Sequence, residues 1–145
     1  MTGANTGVEA MMATGGCLCG AVRFVCEGEL GPAGYCHCED CRRCTGSAFN
    51  LSVRCPRDGF RLEQGELGGF TKTGASGQPL TRHFCRACGS PIYTSSPRHA
   101  DAIYLKAGVF DDPAVAVPAF EAWTRSRAPW SVIPAGIAHY EQGRT

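Results

Sequence analysis

Three short clusters of cysteine are the residues of this chain best suited to chemistry. The sequence holds ten cysteines in 145 residues, and all but Cys26 and Cys55 fall at C-x-C or C-x-x-C spacing, in segments 16–20, 36–44 and 85–90. Thiols this close cannot easily form disulfides with one another, but they can ligate one metal ion from a tight turn. The clusters therefore predict zinc held by thiolates.

The alternative is a scaffold of disulfide bonds. The first residues show neither the basic nor the apolar region of a secretory signal peptide. Ten cysteines in 145 residues lie below the roughly 8–10% of short secreted disulfide frameworks, and a chain of this length buries a core without cross-links. A cytoplasmic zinc protein is therefore the expectation.

Bulk properties exclude several classes of partner. The formal net charge is +1 and the isoelectric point is near 7.5, so nucleic-acid binding has no electrostatic support. No apolar run approaches the length of a membrane span, which removes a membrane partner from the expectation. The length fits one domain, and the oligomeric state stays open.

The elements that must position the clusters are predicted to be mainly β. Glycine and proline separate short apolar segments, as in strands joined by turns, and no stretch carries a helical apolar stripe. The predicted strands cover residues 20–26, 48–53, 59–62, 80–84, 91–94 and 101–110.

One domain is expected over residues 15–145, after a mobile tail at residues 1–14, which are small and polar and show no periodicity. A short helix is predicted to begin near Glu39 and Asp40. Turns are assigned to three glycines, Gly65, Gly68 and Gly69.

The first and third clusters each supply two ligands, whereas tetrahedral zinc needs four. The middle cluster holds enough thiols for an ion of its own. The economical pairing therefore joins Cys17 and Cys19 to Cys85 and Cys88 in a closed structural site.

The middle cluster allows two interpretations. Cys36, Cys38 and Cys41 give three ligands and an open position, the arrangement of a catalytic zinc that can take a small thiol as its fourth ligand. Cys44 forms a further C-x-x-C with Cys41 and can instead close the site as a second structural zinc. Spacing alone does not decide between the two.

Four motifs carry a resemblance to a known family: GGCLCGAVRF, CHCEDCRRCTGSAF, FCRACGSPIY and SRAPW. Together, from about residue 15 to 130, they closely resemble the glutathione-dependent formaldehyde-activating enzyme (GFA) family, which includes centromere protein V. The resemblance implies an Mss4-like (β-tent) fold with short helical segments. It also implies a structural zinc on the first and third motifs and a second zinc on the middle one, carried over as Cys17, Cys19, Cys85, Cys88, Cys36, Cys38 and Cys41.

The same resemblance implies an activity and its substrates. The family's named reaction condenses glutathione with formaldehyde to S-hydroxymethylglutathione, classed in reverse as a carbon–sulfur lyase reaction. Cys36, Cys38 and Cys41 are then the catalytic residues, with glutathione and a small aldehyde as partners. The alternative is a non-enzymatic, zinc-stabilised interaction module of the same fold.

Several residues near the motifs have both a functional and a structural interpretation. Arginine side chains could hold the carboxylates of glutathione, or they pair with neighbouring acids. Trp123 and Trp130 could line a pocket, but core packing is expected for both. His37 and His83 are expected beside the ligands rather than among them. The arginines are Arg42, Arg43, Arg125 and Arg127.

Overall fold

Short strands joined by tight turns build two β-sheets in residues 11–144, the part of the chain that the computed structural model describes. Strands make up 44% and helices 17% of the structure, which confirms the mainly β prediction and fits an Mss4-like fold. The strands are β1 (Met11–Gly16), β2 (Arg23–Gly28), β3 (Ala33–Cys36), β4 (Asn50–Pro56), β5 (Phe60–Gln64), β6 (Leu67–Thr73), β7 (Pro79–Cys85), β8 (Pro91–Ser95), β9 (Ala102–Lys106), β10 (Pro118–Ala122) and β11 (Ala138–His139).

The smaller sheet has the order β1-β2-β5, and the larger has the order β11-β10-β3-β4-β9-β8-β7-β6. In the larger sheet, β10 runs parallel to its two neighbours, β3 and β11. All other pairs of neighbouring strands in that sheet are antiparallel. Parallel pairing places the end of β10 beside the end of β3, where the middle cysteine cluster begins. Sheet topology therefore brings the chain around residue 122 next to Cys36.

Residues of both sheets share one hydrophobic core. On β2 and just before it, Val22, Phe24 and Cys26 are at most 1% exposed, because alternate residues of a strand face the same side. The ring of Phe24 meets Phe110 edge-on at a centroid distance of 5.7 Å. This core fixes β7, whose last residue, Cys85, belongs to the third cluster and is 1% exposed.

The predicted short helix is α1 (Glu39–Thr45). Its N-cap is Cys38, whose sulfur accepts a hydrogen bond from the backbone N–H of Cys41 at 3.4 Å. Its C-cap is Gly46, which has a left-handed φ of 66° and whose N–H donates to the carbonyl of Arg42 at 2.9 Å. Along residues 11–144, no helix combines the length and the apolar character needed to cross a membrane.

Three sequence assignments differ from the structure. The strand predicted over residues 101–110 is β9 only to Lys106 and continues as a short 3-10 helix, Ala107–Val109. Residues 11–14, predicted as part of the tail, lie in β1 and pair with β2; the rest of that predicted tail lies outside the described residues. Gly68 and Gly69 lie within β6 rather than in turns. A Cβ on Gly68 would lie 2.7 Å from the ring of Phe84, so this glycine makes room for an aromatic ring.

A glycine of β3 makes a close approach that can be tested. A Cβ on Gly34 would lie 2.1 Å from Cζ of Phe120, so Gly34→Ala is expected to lower the free energy of unfolding by about 1–3 kcal/mol. Adding Phe120→Ala should recover part of that loss, because the two sites share one space. Denaturant unfolding measures both, with Gly108→Ala as the control, since no atom lies within 4 Å of its Cβ position. Equal losses for Gly34→Ala and Gly108→Ala would contradict the clash.

Candidate metal centres

Two turns that are distant in sequence bring four sulfurs together. Cys17 and Cys19 follow β1, Cys85 and Cys88 lie at the end of β7, and the four sulfurs lie within 4.8 Å of one another. The Sγ–Sγ distances are 3.6 Å for Cys17–Cys19 and 3.9 Å for Cys19–Cys85. A sulfur tetrahedron with metal–sulfur bonds of about 2.3 Å has edges of about 3.8 Å. The four-sulfur group therefore has the dimensions of a closed site.

Backbone N–H groups point at the sulfurs of this group. The N–H of Val22 donates to Cys17 Sγ at 3.2 Å, and those of Ala87 and Cys88 donate to Cys85 Sγ at 3.3 and 3.4 Å. Such donors stabilise thiolates, the form that binds metal. The donor set therefore fits a metal ion that prefers sulfur ligands.

Ser90 links the two halves of the four-sulfur group. Its Oγ lies 3.2 Å from the sulfur of Cys88 and accepts a hydrogen bond from the N–H of Leu18 at 3.0 Å. The Ser90 hydroxyl lowers the pKa of Cys88 to about 5. Gly89 follows with a φ of 81°, a left-handed conformation in which glycine has no steric penalty. The third cluster thus holds a thiolate in a preformed turn.

The middle cluster forms a second group of three sulfurs within 4.8 Å of one another. Cys36 ends β3, Cys38 caps α1, and Cys41 lies in the first turn of that helix. Hydrogen bonds from the thiols of Cys36 and Cys41 lower the pKa of Cys38 to about 2. Hydrogen bonds with the side chains of Cys36 and then Cys38 raise the pKa of Cys41. Only a bound cation allows all three to be thiolates at once.

Cys44 lies one turn further along α1 and is not part of the three-sulfur group. Its sulfur instead donates to the carbonyl of Cys41 at 3.5 Å. This local hydrogen bond satisfies the thiol on its own helix. The conformation therefore favours a three-sulfur site over the alternative in which Cys44 supplies a fourth ligand.

The three-sulfur group opens into a cavity of about 900 Å³, which is within the size range of small-molecule sites. The cavity is bounded by α1, the loop before β7, the segment after β8 and the C-terminal residues. Its lining consists of Cys36, Cys38, Glu39, Asp40, Cys41, Gly74, Ala75, Ser76, Gln78, Leu80, Arg82, Ser96, Arg98, His99, Trp123, Gln142 and Gly143. The four sulfurs of the closed group lie outside it, so the two groups differ in access.

Two cations flank the middle cluster without a carboxylate partner among residues 11–144. Arg82 lines the cavity, and its buried Nε has no hydrogen-bond partner there. Burial alone would lower the pKa of Arg82, but the sulfurs of Cys44 and Cys41 outweigh it and raise that pKa. Lys106 is 7% exposed, and its Nζ donates to the side-chain oxygen of Asn50 at 2.6 Å. Their charges complement a site whose sulfurs are negative.

A fully buried carboxylate contacts the loop that carries the middle cluster. Glu121 is 0% exposed and accepts at 2.8 Å from Nε2 of His37, which is also 0% exposed. Its second oxygen accepts from Arg127 at 3.1 Å and pairs with His139. His37 is absent from the cavity lining in the described part of the chain. It anchors the loop between Cys36 and Cys38, as expected of a residue beside the ligands.

The basic residues at the cavity are not those considered from the sequence. Arg43 pairs with Glu39 at 2.9 Å on the same helix, and Arg127 pairs with Glu121. Arg82 and Arg98 line the cavity instead. Sequence reasoning missed Arg82. The residue lies on the strand predicted over residues 80–84, but no local pattern connects that strand to the middle cluster.

The two tryptophans differ from the expectation of core packing. Trp123 lines the cavity, with the guanidinium of Arg125 5.4 Å from its ring centroid. Trp130 is 70% exposed. His83, the other histidine considered, stacks on Tyr93 at 4.1 Å and contacts Ser95 at 2.9 Å.

Comparisons with known proteins show the family of this chain. Residues 12–126 match the sequence model of the family described as glutathione-dependent formaldehyde-activating enzyme. A Halomonas elongata protein named "Putative glutathione-dependent formaldehyde-activating enzyme" is 32% identical over 111 residues, which cover 70% of this chain and 67% of that protein. An "Uncharacterized lyase" of Schizosaccharomyces pombe is 28% identical over 96 residues, covering 66% of each chain.

A solved structure shares the fold. The crystal structure of a Rhodobacter sphaeroides protein aligns with a TM-score of 0.56 and 23% sequence identity. The alignment covers 72% of this chain and 97% of that chain. The shared part therefore comprises nearly the whole of the smaller structure.

Loss of metal from the four-sulfur group is expected to unfold the protein. Structural zinc sites supply about 10–16 kcal/mol, as much as the about 5–15 kcal/mol that stabilises a whole domain. Cys88→Ser and a strong chelator should each abolish the cooperative thermal transition of the zinc-loaded protein. Cys38→Ser, which changes only the three-sulfur group, is the matched control and should keep a folded circular dichroism spectrum. Chelated protein with an unchanged Tm would contradict this role.

The number of sulfurs in the middle group can be tested by metal content. Cys44→Ala is expected to retain two zinc ions per chain, because Cys44 hydrogen-bonds to its own helix. Cys41→Ala should retain only the ion of the four-sulfur group, since two cysteines bind zinc far more weakly than three. Native mass spectrometry counts the ions directly. If Cys44→Ala lost an ion as Cys41→Ala does, Cys44 would be a ligand.

Proposed function

Because the chain belongs to the glutathione-dependent formaldehyde-activating enzyme family, we propose that it is a zinc-dependent carbon–sulfur lyase. It condenses glutathione, or a similar thiol, with formaldehyde or another small aldehyde to an S-hydroxymethyl adduct. The observation that carries this proposal is the three-sulfur group at the wall of the 900 Å³ cavity. A closed structural site would not need such a cavity.

The proposal gives the two sulfur groups different roles. Cys17, Cys19, Cys85 and Cys88 hold a structural zinc that ties β1 to β7. Cys36, Cys38 and Cys41 are the catalytic ligands of a second, more labile zinc. A zinc ion there supplies one chemical property, a lowered pKa of the substrate thiol, so that its sulfur is a thiolate at neutral pH.

The reaction balances without an oxidant or reductant. The thiolate sulfur attacks the carbonyl carbon, a carbon–sulfur bond forms, and the π electron pair moves to the oxygen. That oxygen takes up a proton from water, which balances the proton that the thiol released. The reverse reaction breaks the same carbon–sulfur bond and releases aldehyde and thiol.

The chain itself contributes position and charge. The cavity holds the thiol and the aldehyde together, which removes much of the entropic cost of a two-molecule reaction. Arg82 faces the same cavity, where its fixed positive charge offsets the sulfurs and favours an anionic substrate. Lys106 is a second buried basic residue near the middle cluster; burial lowers its pKa, and the nearby sulfurs oppose that effect.

A cytoplasmic location is part of the proposal. Among residues 11–144, none of the ten cysteines forms a disulfide in the structure, and a reducing compartment keeps cysteines in that state. Glutathione is also the thiol of such compartments. The partners proposed are thus a small-molecule thiol and a small aldehyde.

Glutathione-dependent loss of formaldehyde tests the function. The zinc-loaded protein is expected to accelerate adduct formation above the spontaneous rate, and Cys38→Ser is expected to reduce this acceleration at least about 100-fold because a catalytic ligand is lost. Cys44→Ala is the matched thiol control and should stay within a few-fold of the wild type. Isothermal titration with glutathione gives the binding step separately. A wild-type protein that neither binds glutathione nor accelerates the reaction would instead support the non-enzymatic interaction module.

A further inference from the structure

The backbone of Trp123 is held in an unusual conformation beside the cavity. Its φ is 57° and its ψ is 41°, and it is the only non-glycine residue with positive φ among residues 11–144. A tryptophan in this left-handed region is sterically disfavoured. Strained residues cluster at ligand-binding positions, because the surrounding structure must hold them there. The strain turns the chain out of β10 and places the indole in the cavity wall.

The C-terminal residues hold this conformation. We define residues 138–143, which include β11, as the C-terminal arm. The N–H of Trp123 donates to the carbonyl of Gln142 at 3.0 Å, and that of Thr124 donates to the carbonyl of Tyr140 at 3.1 Å. A methyl group added at Gly143 would lie 3.7 Å from Nε1 of Trp123. The indole and the C-terminal arm therefore form one continuous piece of wall.

This wall and the three-sulfur group share an anchor in Glu121. One carboxylate oxygen of Glu121 contacts His37, which lies between two of the three sulfur residues, and the other contacts His139 of the C-terminal arm. The N–H of Tyr140 also donates to the carbonyl of Glu121 at 2.9 Å. Because Glu121 is fully buried, losing either partner would leave a less compensated buried charge, so this carboxylate ties the arm to the loop that carries the sulfurs.

We propose that Trp123 and the C-terminal arm select the thiol by its body, that is, by the part of the molecule beyond the reacting sulfur. The sulfur of any thiol can reach the three-sulfur group, but only a thiol with a peptide-sized body extends to the indole and to the backbone of Gln142 and Gly143. Trp123 is then a specificity-determining residue, and Glu121 is a positioning residue that aligns the arm with the sulfurs. This inference rests on the proposed function and adds the part of the chain that discriminates between thiols.

Binding of two thiols of different size to the zinc-loaded protein tests the selection. Glutathione and 2-mercaptoethanol present the same reacting group, but only glutathione has a peptide body. We expect the wild type to bind glutathione at least about tenfold more tightly. A chain ending at Ile137 should lose most of this ratio, while its Kd for 2-mercaptoethanol changes less than about twofold. A chain ending at Gly143 is the matched control and should keep the wild-type ratio.

Substitution of Trp123 gives a second test in the full-length chain. Glycine adopts a φ of 57° without a steric penalty, so Trp123→Gly is expected to stay folded with both zinc ions. It should nevertheless lose most of the ratio between the affinities for glutathione and 2-mercaptoethanol. Trp123→Phe keeps an aromatic ring in the wall and should recover part of it. Titration calorimetry measures the affinities, and native mass spectrometry verifies the zinc content of every variant.

The outcomes separate this inference from the proposed function. If the chain ending at Ile137 and Trp123→Gly keep the wild-type ratio, the selecting role is wrong and the proposed function stands. A parallel fall in both affinities would overturn the selecting role too, because it would show that the arm only supports the fold. A wild type that binds neither thiol would overturn the proposed function and this inference together.

Discussion

Negative charge on closely spaced sulfurs is the constraint on which this structure depends. Two unit charges about 4 Å apart repel by about 4 kcal/mol at an effective dielectric constant of about 20, and each group here places three or four sulfurs within 4.8 Å. A cation must balance them if all are thiolates. A cation that balances the four-sulfur group would join turns 66 residues apart, so the positions of β1 and β7 would then depend on the same ion as the four cysteines. Under the proposed roles, the fold and this metal centre are stabilised together.

The two groups differ because their local backbones differ. The closed group lies on two turns that face each other. Each turn supplies two sulfurs, so the two turns together provide all four corners of a tetrahedron. The open group lies on one strand end and the first turn of α1, where the chain supplies three sulfurs from one side only. The fourth thiol of that cluster is directed to a carbonyl of its own helix. This placement on one continuous segment leaves one side of the three-sulfur group open, as the proposed binding of a substrate thiol requires.

The grouping of the sulfurs was predictable from the sequence because the information is local. Paired spacings such as that of Cys85 and Cys88 specify half-sites, and a count of ligands pairs them. The short helix was also predictable near Glu39, since acidic residues mark a first turn. In contrast, β3, β10 and β11 were not predicted, because their parallel pairing joins segments whose own patterns are weak. The wrong assignment of Gly68 has a related cause: its partner, Phe84, is known only once the strands are paired.

The cavity residues that lie far from the cysteine clusters in sequence were not predictable, for the same reason. Arg82 reaches the cavity from β7 and Trp123 reaches it from the end of β10, and neither has a sequence neighbour that indicates this. What connects them to the sulfurs is burial. Glu121 is fully buried with partners on three segments, and an uncompensated buried carboxylate would be strongly destabilising. The contact of this carboxylate with His139 holds the C-terminal arm at the pocket wall, and backbone hydrogen bonds from the arm maintain the strained backbone of Trp123. Ligand positions are encoded by spacing, whereas the pocket around them is encoded by the pairing of distant strands.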